Sequence, residues 1–359
     1  MTTQTPSPVR HANAAGAATA PRRLPHRAPA VLFAGGALVG ALLAVLTGGH
    51  LALAVVCAAI LGTLAVYVVS RAVDGRRKAT DRLTTCLVTG AFLIALIPLV
   101  SLLWAVVSKG VKRFDGTFFG NSMVGVIGDG GGAYHAILGT LIITALTALI
   151  SVPVGLLTAI YLVEYGTGRL KQAITFFVDV MTGIPSIVAG LFAFALFAIF
   201  VGPGVRMGLA GAVALSVLMI PVVVRSTEEV LKLVPNELRE ASYALGVPKW
   251  RTVVKIVLPT AAAGMATGIT LAIARVVGET APLLITLGIT DATQNNPFTD
   301  QRMATLPVYA YYQLTQPGVP PQFGIDRAWT AALLLIILVM ALNLVARLIS
   351  RFFAPQTGR

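Results

Sequence analysis

Long apolar stretches separated by polar loops make up most of this chain. Because a helix that crosses a lipid bilayer needs about 20 consecutive apolar residues, the eight longest stretches predict eight membrane-spanning helices. They cover 30–48, 51–70, 84–107, 135–163, 173–200, 206–224, 260–289 and 328–349. Only Gly48, Gly49 and His50 join the first two stretches, which predicts a tight hairpin ahead of a six-helix core.

The composition indicates a membrane protein rather than a soluble one. Hydrophobic residues make up 56% of the 359 residues and charged residues 11%, whereas soluble domains contain about 25% charged residues. So few charges could not cover the surface of a soluble globule, and segments this apolar do not stay disordered. Both cysteines, Cys57 and Cys86, lie in apolar stretches, which excludes a disulfide framework and a cysteine zinc cluster. We therefore predict an all-α, polytopic membrane protein.

Polar segments divide the chain into five parts. Residues 1–29 are rich in Ala, Pro, Thr and Arg, which predicts a disordered tail. The remaining parts are a transmembrane hairpin at 30–70, a linker at 71–83, a membrane core at 84–350 and a second tail at 351–359.

Lys and Arg are distributed unevenly between the two sides of the predicted bundle. Eight spans place both termini on one side, which holds 20 of the 27 basic residues, while the opposite side holds six and Arg275 lies within a span. Because loops rich in Lys and Arg remain in the cytoplasm, both termini and the loop at 225–259 are predicted to be cytoplasmic. Their positive charge is predicted to contact anionic membrane lipids. The net charge of +13 does not indicate nucleic-acid binding, because no basic face is interleaved with aromatic residues.

The predicted cytoplasmic loop at 226–259 has the pattern of two short helices. A start at Pro235 suits the first turn of a helix, and Gly246 is a residue type that ends helices. Pro248 then opens a second helix. This pattern fits an amphipathic loop resting on the lipid headgroups, and it also fits a short rigid helix presented to the groove of a cytoplasmic partner.

Several residues of this loop stand at fixed spacings, namely Glu240-Ala241-Ser242, Gly246, Ile256 and Leu258-Pro259. They resemble the signature of permease subunits of binding-protein-dependent ABC importers, which is E-A-A, three residues, Gly, nine residues, Ile, one residue and Leu-Pro. Ser242 in place of the second Ala is the single departure. The resemblance implies a coupling helix that inserts into a cleft of a separate ATPase subunit. The residues it implies for ATPase coupling are Glu237, Arg239, Glu240, Ala241, Gly246, Leu258 and Pro259.

Five segments of the chain carry a more specific resemblance: GTLIITAL (139–146), YLVEYG (161–166), GIPSIVAGL (183–191), residues 237–259 and ARVVGETAPLL (274–284). They resemble the A-type permeases of phosphate-specific ABC importers. The similarity covers 84–350, is clearest over 135–350, and does not include the hairpin at 30–70, whose role stays open. It implies a type I ABC permease core in a bacterial inner membrane that forms half of a channel for inorganic phosphate.

The same resemblance implies the partners of such a subunit. They are a C-type sister permease in a heterodimer, two copies of an ABC ATPase and an external phosphate-binding protein. ATP would be hydrolysed by the partner ATPase, because this chain has no G-x-x-x-x-G-K-[ST] phosphate loop. The four histidines are scattered over the tail and loops and form no metal-binding pattern. We therefore expect a transport subunit rather than an enzyme, with no metal or cofactor of its own.

Two charged residues lie inside the predicted span at 260–289. Arg275 and Glu279 are four residues apart, a spacing that places both on one helix face, and Arg275 falls near mid-membrane when counted at about 1.5 Å per residue. An ionisable group there costs at least about 2.5 kcal/mol on insertion scales. The two could neutralise each other, or they could face the transport path, where the guanidinium of Arg275 suits phosphate oxygens. In the family that this chain resembles, the RxxGETAPL motif carries a charged pair linked to transport. The resemblance therefore implies that Arg275 and Glu279 face the transport path, with Thr280 beside them.

A second interruption is predicted within the span at 173–200. Gly183 and Pro185 break the helical pattern, and unwound backbone in a membrane is tolerated only where it is buried in protein or lines a cavity. We interpret this segment as flexible and adjacent to the path, where Ser186 offers a hydroxyl. The sequence GDGGGA at 128–133 predicts a flexible external loop rather than a dinucleotide site, because no strand precedes it.

Two other functions fit part of this evidence. One is a type I ABC permease for another cargo, such as molybdate, sulfate or a small organic solute, which the segment around Arg275 disfavours. The other is a secondary transporter that works alone. Intramembrane charges fit that class, but the coupling signature does not.

Overall fold

The computed structural model describes residues 28–46 and 51–353, and predictions for 1–27, 47–50 and 354–359 lie outside the described residues. Within the described ranges every regular element is helical, which confirms the all-α fold class. The chain divides into two units, with the boundary in sequence after Leu102.

The first unit contains a helical hairpin and most of a long helix. Its helices are α1 (Ala28–Leu46), α2 (Leu51–Val73) and α3 (Arg76–Gly110), and the last of these extends past the unit boundary. Helices α1 and α2 approach closely at Gly36, where a Cβ atom would lie 2.7 Å from the Cα of Gly62. The linker predicted at 71–83 is not an extended loop, because only Asp74 and Gly75 separate α2 from α3. Gly75 has a φ of +87°, a turn conformation that glycine adopts at little cost.

The second unit contains the remaining helices. In chain order they are α4 (Gly116–Gly120), α5 (Tyr134–Ile160), α6 (Gly168–Thr182), α7 (Ser186–Phe200), α8 (Gly208–Lys232), α9 (Asn236–Ala244), α10 (Lys249–Thr252), α11 (Leu258–Val277), α12 (Ala281–Thr286), α13 (Leu306–Thr315) and α14 (Pro321–Phe353). A π turn at Tyr161–Tyr165 prolongs α5. A second π turn at Val253–Val257 joins α10 to α11 in one continuous helix.

Six helices in the described ranges are long and apolar enough to cross a membrane. They are Val55–Val73, Arg76–Arg113, Tyr134–Tyr165, Gly208–Lys232, Lys249–Val277 and Pro321–Leu348. Helices α6 and α7 together would provide a seventh crossing, although they are bent by 109° relative to each other. The protein is therefore polytopic. Eight crossings stay a prediction, because the apolar helix found within α1, Val31–Gly40, is shorter than a crossing requires.

Helix α8 lies at the centre of the second unit. It packs against α5, α7, α11 and α12. Its side chains Leu215, Met219 and Val223 are buried in one apolar cluster with Ile143 of α5 and Val276 of α11. A membrane-length helix that is surrounded by other helices in this way fixes their relative positions.

Two predicted spans are not continuous helices. The span predicted at 173–200 divides into α6 and α7, and the one predicted at 260–289 divides into α11 and α12. A proline lacks a main-chain N–H and its ring collides with the preceding helical turn. Each of the two breaks has a proline at the start of the new helix, Pro185 directly before α7 and Pro282 in the first turn of α12.

Helix α8 extends beyond its apolar stretch. The span predicted at 206–224 continues as a helix to Lys232, so the loop predicted at 226–259 begins only after that residue. The extension is polar, yet its charges pair along the helix, because Glu228 accepts hydrogen bonds from Arg225 at 2.7 Å and from Lys232 at 2.8 Å. Pairs at such spacing stabilise a helix. Hydrophobicity thus marked the end of the apolar surface rather than the end of the helix.

A glycine-rich loop at the start of α5 is held by two arginines. Arg113 and Arg327 donate hydrogen bonds to main-chain carbonyls within 128–133, and Arg113 also pairs with Asp129 of the loop. Two side chains outside the loop thus hold its backbone, while the flexibility of the loop stays a prediction.

Candidate coupling helix and transport path

The predicted pattern of helix, glycine turn and helix forms as α9 and α10. Pro235 precedes α9, and Gly246 follows it with a φ of +73°. The N–H of Gly246 donates to the carbonyl of Tyr243 at 2.9 Å, and that of Val247 donates to Ser242 at 3.2 Å. These are the two bonds of a Schellman cap. Because glycine alone adopts this φ at little cost, Gly246 determines where α9 ends and the chain turns towards α10.

One side of α9 is exposed. Glu237, Glu240, Ala241 and Leu245 lie on it, and Leu245 is 83% exposed. Trp250 of α10 adds a second large apolar side chain that is 57% exposed. Exposed apolar side chains rimmed by charges are typical of protein–protein interaction sites. We call these five residues the exposed α9 surface, and it includes three of the residues predicted for ATPase coupling.

Arg239 points in the opposite direction, into the protein. Its side chain is 13% exposed and donates to Oε1 of Glu164 from Nε at 3.1 Å and from Nη2 at 2.8 Å. Glu164 lies in the π turn that prolongs α5, and its side chain is 5% exposed. The family resemblance places Arg239 among the coupling residues but does not indicate Glu164, because 75 residues separate the two. The only indication of Glu164 in the sequence was its position as an acidic residue inside the similar segment YLVEYG.

Leu258 and Pro259 lie outside the exposed α9 surface. Both stand in the first turn of α11, directly after the second π turn. Leu258 is partly buried against the apolar cluster that contains Val257 and Leu231, and Pro259 is exposed. They stand where α10 continues into α11 and not on the exposed α9 surface. Their part in ATPase coupling stays a prediction.

Arg275 lies in the last turn of α11, and Glu279 lies beyond its end. The helix stops at Val277, so the two residues do not share a helical face as their spacing predicts. Arg275 is exposed and Glu279 is partly buried. Within the described part of the chain neither side chain has a hydrogen-bond or ion-pair partner. The self-neutralising pair does not form, so these charges are free to interact with something outside the chain.

The two helix breaks lie beside one another. Gly190, in the second turn of α7, faces Pro282 at the start of α12, and a Cβ on Gly190 would lie 2.6 Å from the Cα of Pro282. Ser186 is the first residue of α7, and Thr280 is the residue that caps α12. Each lies within about one helical turn of the contact along the chain. The structure therefore brings the segments that carry Ser186, Glu279 and Thr280 to one region.

A further charged cluster connects α6 to α8. Arg225 of α8 pairs with Asp179 of α6 and with Glu228, which also pairs with Lys232. Sequence reasoning missed this cluster because Asp179 and Arg225 are 46 residues apart. The cluster stands at the polar end of α8, directly before the chain turns into α9.

Comparison with known proteins agrees with this architecture. Residues 151–359 match the family of binding-protein-dependent transport system inner membrane components. A chain of the crystal structure of a bacterial alginate ABC transporter in complex with an alginate pentasaccharide-bound periplasmic protein superposes with a TM-score of 0.57. That likeness covers 78% of this chain and 97% of the other at 15% identity, so it concerns the fold alone.

Two relatives are more similar in sequence. The phosphate transport system permease protein PstA 1 of Mycobacterium tuberculosis (strain ATCC 25618 / H37Rv) is 48% identical over 297 residues, which are 81% of this chain and 94% of the relative. The phosphate transport system permease protein PstA of Pasteurella multocida (strain Pm70) is 37% identical over 287 residues, 79% of this chain and 97% of the relative. This chain therefore belongs to the family of binding-protein-dependent transport system inner membrane components and, within it, to the PstA-type permeases.

Proposed function

We propose that this chain is a permease subunit of an ATP-driven importer of inorganic phosphate. The observation that carries the proposal is Arg275, an exposed arginine without a partner in the described chain, at the end of a membrane-length helix. Several relatives at 35–49% identity are phosphate transport permeases by name, which supports phosphate as the cargo.

The charge of Arg275 has a physical use in such a path. A cation in a membrane is costly unless it meets an anion or water, and a guanidinium presents a planar fork of donors that matches phosphate oxygens. Glu279, in the break after α11, would attract the guanidinium when the path is empty or accept a proton-bearing phosphate oxygen. The hydroxyls of Ser186 and Thr280 would supply further hydrogen bonds beside it.

The proposed partners follow from the surfaces of the chain. The exposed α9 surface would dock into a separate ABC ATPase, present in two copies, which consumes the ATP, so that this chain needs no cofactor. A C-type sister permease would form the other half of the path, and an external phosphate-binding protein would deliver the cargo. The hairpin at 30–70 would be an addition to the core at 84–350.

The proposed orientation places α9 in the cytoplasm of a bacterium, with both termini on the same side of the inner membrane. The excess of Lys and Arg on that side supports it, and these residues would contact anionic lipid headgroups. When ATP closes the ATPase dimer, α9 would move with it, and the membrane helices would follow as a rigid body and open the path to the other side.

The proposal is tested by reconstitution into liposomes. This chain, its sister permease, the ATPase and the binding protein would be assembled with ATP inside, and uptake of radiolabelled phosphate would be followed. We expect uptake to require both ATP and the ATPase. An excess of unlabelled phosphate should suppress it, whereas molybdate and sulfate should not. Uptake without the ATPase would indicate a secondary transporter. An assembled complex that takes up no phosphate but whose ATPase responds to another loaded binding protein would indicate another cargo.

A further inference from the structure

Glu164 is a buried acid that the proposed path does not use. It lies in the π turn after α5, and one of its oxygens, Oε1, accepts two hydrogen bonds from Arg239 of α9. Removing a carboxylate from water is expensive unless charged hydrogen bonds compensate for it. The hydrogen bonds from Arg239 supply this compensation, and they attach α9 to the end of α5.

Arg239 uses its remaining donors on three other segments. Its Nη1 donates to the carbonyl of Val234 at 2.7 Å and to Oδ1 of Asn236 at 3.2 Å, and its Nη2 donates to the carbonyl of Leu231 at 3.0 Å. One guanidinium thus joins the end of α8, the turn after it, the start of α9 and the π turn of α5. Lysine could not replace it, because an ammonium group lacks this planar set of donors.

A second contact holds α9 from its other end. Ser242 Oγ and Thr252 Oγ1 are 2.8 Å apart, and both side chains are buried. This hydrogen bond connects the last turns of α9 to α10, which continues into α11. Helix α9 is therefore fixed at one end to α5 and α8 and at the other to α11, while its outer side remains exposed.

We propose that Glu164 and Arg239 are positioning residues that transmit the movement of a docked ATPase to α5 and α8. The inference rests on the proposed function, since it concerns how α9 acts once a partner has bound to its outer side. Without the pair, α9 still presents its exposed surface, but its displacement is no longer passed to the membrane helices. The pair therefore affects the number of phosphate ions moved for each ATP hydrolysed, rather than the binding of the ATPase.

The test measures phosphate uptake and ATP hydrolysis in the same proteoliposomes. Glu164→Gln keeps the shape and an acceptor oxygen of the side chain but removes its charge. Arg239→Gln removes the guanidinium group and its planar set of donors. We expect the ATPase to co-purify with both variants, and the ratio of phosphate to ATP to fall by about two- to thirtyfold, the range seen when residues between two coupled sites are changed. In the double variant the loss should be close to that of either single variant, because the two residues act as a unit.

Two matched variants serve as controls. Glu229→Gln removes an exposed acid from α8, and Arg169→Gln removes an exposed base from α6. Neither residue is among the hydrogen-bond or ion-pair partners of Glu164 and Arg239 in the described chain. If the wild type couples uptake to ATP and the ratio of phosphate to ATP is unchanged in Glu164→Gln and Arg239→Gln, the inference about the pair is overturned and the proposed function still stands. Loss of ATPase co-purification in Glu164→Gln would overturn the inference as well, because the pair would then merely shape the docking helix. A wild-type complex without ATP-driven phosphate uptake would instead refute the proposed function.

Discussion

The contact between α7 and α12 has room only for glycine at position 190. A Cβ added there would lie 2.6 Å from the Cα, 3.1 Å from the carbonyl oxygen and 3.2 Å from the Cβ of Pro282. Carbon atoms in favourable contact are about 3.5–4.0 Å apart, so Gly190→Ala must separate the two helices by about 1 Å or strain both of them. Overpacking of this kind costs about 1–3 kcal/mol.

The same contact holds together the two helix breaks that carry the proposed path residues. We therefore expect Gly190→Ala to lower the unfolding temperature of the purified subunit in detergent and to reduce phosphate uptake by the reconstituted complex. A suitable control is Gly183→Ala, in the break before α7. Its added Cβ would meet only the carbonyl oxygen of Val180 at 3.5 Å, so its stability should change by less than about 0.5 kcal/mol.

Two results would show that the contact at Gly190 does not act in this way. If Gly190→Ala unfolds and transports like the wild type, α7 and α12 do not pack as closely as the structure has them. If both variants lose stability equally, the cause is any added methyl group in this region and not the contact with Pro282.

Three further predictions concern α9 and the start of α5. Gly246→Ala would force an alanine into the left-handed region, at about 1–2 kcal/mol, and hydrogen exchange should show faster opening of α9. Leu245→Asp should weaken ATPase co-purification by about tenfold or more, as for a buried apolar contact at an interface, without changing the unfolding temperature of the isolated subunit. Thr140→Val should lower that temperature, because it leaves the N–H of Leu306, which donates to Thr140 Oγ1 at 2.8 Å, without its acceptor at a cost of about 1–3 kcal/mol. Thr144→Val is the matched control for the last of these.

The elements of the fold followed from local patterns in the sequence. Apolar stretches of membrane length predicted most of the long helices, because hydrophobicity over 20 residues is decided by the bilayer. Gly246 was predicted to end a helix, and its cap geometry confirms this. Such features depend on neighbours within a few residues, so one sequence is enough to find them.

The features that the sequence did not reveal depend on contacts between distant segments. The direction of Arg239 was not predictable, since its partner Glu164 lies on another helix. The turn of 109° between α6 and α7 was not predictable either, because Gly183 and Pro185 allow a break without specifying its angle. Arg275 and Glu279 were placed on one helix face by spacing alone, a rule that fails where the helix ends between them.

Transported phosphate is proposed to pass Arg275. The most direct test is phosphate uptake into proteoliposomes by complexes that carry Arg275→Ala, with Arg169→Ala as a control for the loss of an exposed positive charge. If Arg275 meets the cargo, uptake should fall by about tenfold or more, as expected for a lost charged hydrogen bond, while the control transports normally and the ATPase still assembles with both. Undiminished uptake by the Arg275→Ala complex would place this arginine outside the transport path.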